Sequence, residues 1–430
     1  MKTRPRAVSP KTFLTCFSWM IVFSFAFGAA AQTPPPAEPN PKGAAEATPP
    51  SSAPPASTAL PVVASPDVAP NVVVPPPIPV PAPVPPAAKI EPAITMNFGV
   101  RVGARLQSPT DPEKLDHLGL DTLYLEPRFS ARVIEKVGFQ ANFNVGVPPG
   151  AGLAAPGAVG IMDLIAQFDF DDLLHLWAGR LLVPSDRSNF SGPFFMSAWN
   201  YPGFYVAGAP LGPKTGPTGR DNGAVVWGDA MKGKFKYYAG AFGLDQPGKP
   251  YYTARLNLAI IGSEPGFYHS STYYGSQDIV AIGAGLQYQQ DGSVKPDGTG
   301  PKDTVTGMAD VLAEFKVGEG VITGEVQYYQ FTEGYSFATV GPMNTPVGAP
   351  KQAFYALVSY LTPPVGPGKI QPLVRVQRTL DGPGWTILDA FVSYVVKDYD
   401  LRVALGYQRT DLGEGTPVGN AIQLGVQLQK

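Results

Sequence analysis

The sequence has 430 residues, enough for two or three ordinary domains, yet only 15% are charged, 11% are aromatic, and glycine and proline number 48 and 49. So few charges exclude an ordinary charged-surface globular protein, where about 25% is typical; the glycine, proline and aromatic content suits strands and turns better than helices. The formal net charge of −2 gives no basis for nucleic-acid binding.

The chain opens with Lys2, Arg4, Arg6 and Lys11, followed by an apolar run over 13–27 and the small residues Ala29, Ala30 and Ala31. This pattern predicts a secretory signal over 1–31, cut before Gln32, because the run is shorter than the roughly 20 residues a spanning helix needs. Cys16 is the only cysteine and lies inside that signal, so the mature chain forms no disulfide. Cleavage leaves 28 basic against 34 acidic groups, a formal charge of −6. Residues 32–92 hold 21 prolines and no aromatic residue. Such a segment cannot build a core, and it reads as a disordered, extended periplasmic linker with a possible role as cell-wall contact.

From residue 93 onward the pattern changes to a period of two. In ITMNFGVRVGARLQ the positions Ile94, Met96, Phe98, Val100, Val102, Ala104 and Leu106 are apolar, and those between are polar or glycine. The same alternation predicts strands over 94–107, 121–134, 138–147, 160–170, 174–183, 223–229, 234–243, 251–261, 278–290, 304–317, 320–331, 353–362, 369–379, 385–396, 400–410 and 420–429. Most reach ten residues or more. Strands of soluble proteins average about 5 to 6, whereas about 9 to 11 are needed to cross a bilayer at a tilt.

The connections alternate too. Even-numbered links are terse, as in EKV, DDL and KDY, and odd-numbered ones are long, the arrangement of a membrane barrel with short turns at one end. One link, GSEPGFYHSSTYYGSQ over 262–277, is long where a short turn is due. The expected fold is therefore all-β, a transmembrane antiparallel β-barrel of about 16 strands over 93–430.

Arginine facing lipid at mid-depth would cost roughly 2 to 4 kcal/mol, so the greasy face looks outward and the wet face inward. Parity then sends Arg101, Arg105, Arg128, Arg132, Arg180, Lys236, Arg255, Lys316, Arg375 and Arg402 to the lumen. Glu126, Asp163, Asp169, Asp310, Glu314, Glu325 and Asp389 oppose them, a mixed wall with a mild anion preference.

WAGRLLVPSDR over 177–187, GRDNGAVVWGD over 219–229 and the segment over 254–292 resemble the phosphate-selective porin O/P family and its short-chain relatives. The resemblance implies a trimeric, sixteen-stranded outer-membrane channel for small hydrophilic solutes and ions, and carries over Gly179, Arg180, Pro184, Arg220, Asp221 and Gly223 as structural positions. It also implies that the long loop between the fifth and sixth strands folds into the barrel and narrows it. That loop and its border offer Asp186, Arg187, Lys214, Arg220 and Asp221, with Phe194, Phe195, Trp199, Tyr201, Phe204 and Tyr205 nearby as anchors to the wall. Phosphate specificity does not follow, because acidic residues interrupt the basic wall. Lys430 replaces the aromatic residue on which most such barrels end.

No enzyme and no cofactor is expected: His117, His175 and His269 do not recur at metal-ligand spacing. The second functional expectation is a structural outer-membrane barrel tethered to the cell wall through its proline-rich segment.

Overall fold

The computed structural model describes residues 94–430 except 109–110, 112, 148–158, 203–218, 246–247, 295–298, 332–350, 382–383, 412 and 414–416. The signal and linker segments, together with Lys214, Phe204 and Tyr205, lie outside the described residues.

Sixteen antiparallel strands follow one another around a closed barrel, and the first pairs with the last. They are β1 (Ile94–Leu106), β2 (Leu118–Ile134), β3 (Val137–Val147), β4 (Val159–Asp171), β5 (Leu174–Leu182), β6 (Arg220–Ala230), β7 (Phe235–Phe242), β8 (Tyr251–Ile261), β9 (Ile279–Val294), β10 (Pro301–Val317), β11 (Gly320–Phe331), β12 (Gln352–Leu361), β13 (Lys369–Thr379), β14 (Thr386–Lys397), β15 (Leu401–Asp411) and β16 (Gly419–Gln429). Closure leaves no unpaired sheet edge. The seam is extended past β16 by a reciprocal backbone pair between Phe98 and Lys430, each N–H donating to the other's carbonyl at 2.9 Å.

Period-two alternation fixes which residues look inward. Along β16, Leu424, Val426 and Leu428 stand exposed on the outside, while Gln423, Gln427 and Gln429 are buried on the inside. Leu256, Leu405 and Val358 continue this apolar outer surface, each more than 50% exposed. The inside holds the buried polar groups, Arg101, Asp310, Glu325, Arg375, Asp389 and Arg402 among them.

Two features depart from the expected fold. The loop after β5 contains a helix, α1 (Arg187–Phe195), whose backbone breaks at Gly192 (φ 60°, ψ −178°) just before Pro193. The link over 262–277 is no hairpin turn, for Glu264, Phe267, His269, Ser271, Thr272 and Tyr274 are all buried within the barrel. It lies at the end of the barrel that carries the short turns, opposite the β5–β6 loop.

Candidate functional site: two inward-folded segments in the lumen

The β5–β6 loop enters the lumen through a capped turn. Asp186 accepts the backbone N–H of Asn189 at 3.1 Å and so caps α1. The Asn189 side chain donates to the carbonyls of Val183 (2.9 Å) and Gly219 (3.3 Å), tying the start of the loop to its end. Gly219 adopts φ 76°, and a Cβ there would lie 1.8 Å from the Asn189 side-chain oxygen, so no other residue fits. Asp186 is fully buried; burial pushes its carboxyl up to about 7, against the pull of the Asn189 N–H and with a further push from Asp310.

At the end of α1 and beyond it the carbonyls have no helical partners, so they need donors from elsewhere. The wall supplies them. Gln427 donates to the Phe194 carbonyl (2.9 Å), and Arg402 to those of Met196 (2.8 Å) and Ser197 (3.1 Å). Arg101 donates to the Trp199 carbonyl (2.6 Å), and Arg375 to those of Asn200 (2.9 Å) and Tyr201 (3.4 Å). Arg101 and Arg402 sit on the strands either side of Gln427 and in register with it, and the Arg101 guanidinium lies 3.9 Å from the Trp199 ring centre. Wall glycines serve as sockets, Phe194 packing on Gly99 and Trp199 on Gly425.

The link over 262–277 is held from the other side. Glu314 accepts the Thr272 hydroxyl (2.7 Å) and the backbone N–H groups of Tyr273 (3.0 Å) and Gly275 (2.8 Å). Lys236 donates to the carbonyls of Gly266 (2.9 Å) and Tyr268 (3.2 Å), and the Tyr238 hydroxyl to that of Phe267 (2.8 Å). Phe267 stacks on Trp177 at 4.6 Å between ring centres and meets Trp227 edge-on at 5.3 Å.

The two segments meet. Arg187 grips both oxygens of Glu264, at 2.6 and 2.9 Å, and donates to the Ser270 carbonyl at 2.9 Å. Its Nε lies 3.3 Å from Asp310, which Arg255 engages at 2.6 and 3.0 Å. Burial alone would raise the Glu264 carboxyl, but the Arg187 charge outweighs it and holds the group well below the usual carboxylate range. His269 is driven the other way, well below its ordinary value, by burial first and then by the Lys236 charge. Its ring packs edge-on against Phe190 at 4.7 Å, and its Nδ1 lies 3.4 Å from the Glu264 carboxylate.

The sequence-predicted residues sort into three groups. Arg101, Arg255, Arg375 and Arg402 face inward, are at most 2% exposed, and are occupied in holding the β5–β6 loop. Arg105, Arg128 and Arg132 also face inward but bond to other wall groups: Arg105 to Gln107 and Gln408, Arg128 to Glu126 at 2.8 Å and Arg132 to Asp169 at 2.6 Å. Among the loop candidates, Arg187 and Asp186 are central, Arg220 pairs with Asp163 at 3.2 Å, and Asp221 accepts the Tyr251 hydroxyl at 2.9 Å.

Arg180 requires correction. Its register partner on β4 is Leu164, which is exposed on the outer face, whereas Trp177 and Leu181 of β5 point inward and are buried. Arg180 therefore lies on the outer face, its Nε donating to the Ile161 carbonyl at 3.0 Å. β5 is apolar on both faces because Phe190 and Phe267 cover its inner one, so greasiness does not identify the outer side there.

Among solved structures, the chain is similar to Salmonella typhi OmpF in complex with daunomycin, with 9% identity and a TM-score of 0.52 over 78% of this chain and 97% of that one. The fold is that of the outer-membrane porins. Lower similarity extends to the anion-selective porin of Comamonas acidovorans (11% identity, TM-score 0.48, covering 79% of this chain and 100% of that one). The outer membrane channel DcaP of Acinetobacter baumannii is comparable (13% identity, TM-score 0.48, covering 80% and 99%). Neither a protein-family model nor a curated protein sequence matches the chain. Sequence reasoning did not single out Glu264, Asn189 or Gln427. Only Glu264 had an indirect signal, four aromatic residues crowded into a link placed where a short turn was due.

Proposed function

We propose that this protein is an outer-membrane channel through which small hydrophilic solutes diffuse passively, its lumen narrowed from both ends by the β5–β6 loop and the 262–277 link. The observation that carries the reading is the closed sixteen-stranded barrel with an exposed apolar exterior and a polar, charged interior, an arrangement suited to lipid outside and water inside. On this reading the short turns and the proline-rich linker lie in the periplasm, and trimeric assembly, expected from the sequence resemblance, is tested by native mass spectrometry in detergent.

A mild preference for anions, phosphate among them, rests on Arg105, Arg132 and Lys316, lumen cations that do not hold the loop, and on Arg128, which lies over the Phe194 ring of the loop at 4.7 Å. The experiment is single-channel recording in planar bilayers with chloride and phosphate compared: stable ohmic steps are expected, with a reversal potential on the anion side in a salt gradient.

A plugged structural barrel is favoured by one observation, the near-zero exposure of Arg101, Arg187, Arg255 and Arg402 within the lumen. An intact barrel that carries no current would establish it in place of the channel.

A further inference from the structure

We propose that the 262–277 link positions the β5–β6 loop from the opposite end of the barrel, with Glu264 as the positioning residue acting through Arg187. The inference deepens the channel reading and rests on it for its effect on current, though not for the contact itself.

Within the described part of the loop, the wall arginines secure one stretch. Arg101, Arg375, Arg402 and Gln427 hold carbonyls from Phe194 to Tyr201. Along α1 the wall holds Ser188, whose hydroxyl lies 2.7 Å from that of Tyr355 and accepts from Gln327 at 3.0 Å, and sets Tyr238 against Phe190 at 4.9 Å, while the link adds contacts at three points. At the start of the helix, Glu264 and the Ser270 carbonyl take Arg187. In the middle, Phe190 packs against Phe267 at 5.5 Å and His269 at 4.7 Å. At its end the Ser271 N–H donates to the Phe195 carbonyl at 3.0 Å, and the Ser197 hydroxyl donates to the Ser271 carbonyl at 2.9 Å. A strut that touches a helix at its start, middle and end fixes both its height and its tilt.

Charge makes Glu264 decisive among these contacts. It is the only acidic residue within 262–277. Asp310, the other carboxylate on Arg187, is already engaged by both terminal nitrogens of Arg255. Without the Glu264 charge, two fully buried guanidiniums share one carboxylate, and α1 is left with a cation that the low-dielectric interior does not compensate. Glu264 is itself held in place by Asn257 at 3.0 Å and by the Tyr273 hydroxyl at 2.7 Å, so its position is set by β8 and the link rather than by the loop it steers.

The test uses the full mature chain, in which Ser197→Cys with Ser271→Cys supplies a cysteine pair across the contact. Copper-phenanthroline oxidation in detergent is expected to form this disulfide readily in the otherwise wild-type barrel and several-fold less in the Glu264→Gln background. In bilayers, Glu264→Gln is expected to add flickering, higher-conductance states that disappear on oxidation of the cysteine pair. Heat-modifiable gel mobility verifies that each barrel is folded, and Glu264→Asp replaces Glu264→Gln should the latter fail to fold. Unchanged cross-linking in the Glu264 variant overturns the proposal. Reduced cross-linking in a barrel that conducts no current supports the positioning role and overturns the channel reading instead.

Discussion

Arg187 and Glu264 approach each other from opposite ends of the barrel and pair through two hydrogen bonds, at 2.6 and 2.9 Å, with neither side chain exposed to solvent. Neither belongs to a strand. Two segments outside the sheet, one of them opening α1, each offer one charge, and the pair joins segments that the sheet itself does not connect. Around it the wall supplies Asp310, Arg255 and Asn257, so the network is nearly neutral and well bonded, the condition under which a buried ion pair is tolerated.

Breaking that pair from one side should therefore cost more than dismantling it. Arg187→Met leaves Glu264 charged and buried, with the Asn257 amide, the Tyr273 hydroxyl and the more distant His269 ring as its remaining partners, and is expected to destabilise the barrel by about 3–5 kcal/mol. Arg187→Met combined with Glu264→Gln removes the stranded charge and should recover at least half of that loss. Urea unfolding in detergent, followed by tryptophan emission, measures both; equal losses in the two variants would mean that the charge itself is not what matters.

A second prediction concerns the wall sockets. A Cβ at Gly425 would lie 2.1 Å from the Trp199 ring, and one at Gly99 would lie 2.4 Å from the Phe194 ring. Both contacts are far inside van der Waals distance, and both rings belong to the β5–β6 loop. Gly425→Ala and Gly99→Ala should each dislodge that loop at a cost of roughly 1–3 kcal/mol while leaving the strand pairing of β1 and β16 intact. Limited proteolysis reports the outcome: faster cutting within 187–219 is expected, against an unchanged resistant barrel fragment.

How much of this was legible in sequence depended on what covers each inner wall position. β16 faces the lumen with Gln423, Gln427 and Gln429 and faces outward with Leu424, Val426 and Leu428, so its alternation is clean and its expected bounds of 420–429 differ by one residue from those found. β5 faces the lumen with Trp177 and Leu181 because the loop and the link pack against it. There the alternation fades, and Arg180 was assigned to the wrong face. The loop helix was illegible for a different reason: Gly192 and Pro193 interrupt a nine-residue segment with no apolar stripe, and burial in the lumen rather than helix propensity holds it. Arginine at an inward position was readable from parity. Whether its donors meet solute or loop carbonyls was not, since that depends on where a distant segment comes to rest.

Protonation of Asp186 should alter the loop's stability between mild acid and neutrality. Its carboxyl is raised from 3.8 to about 7, chiefly by burial. The folded state thus binds the proton more readily than the unfolded state between those values, and the sign follows: the contribution is fully present below about pH 4 and is lost as pH rises towards 7. Asp186→Asn keeps an oxygen to cap Asn189 and carries no charge. It should match the wild type at pH 4 and exceed it at pH 8 by roughly 2–4 kcal/mol, at about 1.4 kcal/mol per pH unit. Denaturant unfolding at the two pH values gives the comparison, and a variant no more stable than wild type at pH 8 would rule out a buried, reluctant carboxylate at the cap.

The lumen arginines should divide into those that set selectivity and those that set pore geometry. Arg132 keeps 47% of its side chain exposed, pairs with Asp169 and touches neither inward segment. Neutralising it as Arg132→Gln removes a solvated charge worth about 0.5 kcal/mol, which corresponds to roughly a twofold fall in the anion-to-cation permeability ratio at low salt and less at high salt, where screening shortens its reach. Arg402 is at most 1% exposed and donates to the Met196 and Ser197 carbonyls. Arg402→Gln should leave those carbonyls short of donors and free that stretch of the loop, changing unit conductance and current noise more than reversal potential. Paired measurements of conductance and reversal potential on the two variants test the division. If Arg402→Gln shifted the reversal potential as Arg132→Gln does while leaving conductance unaltered, the buried guanidinium would be facing the ion path, and the assignment of the inner arginines to loop anchoring would be wrong.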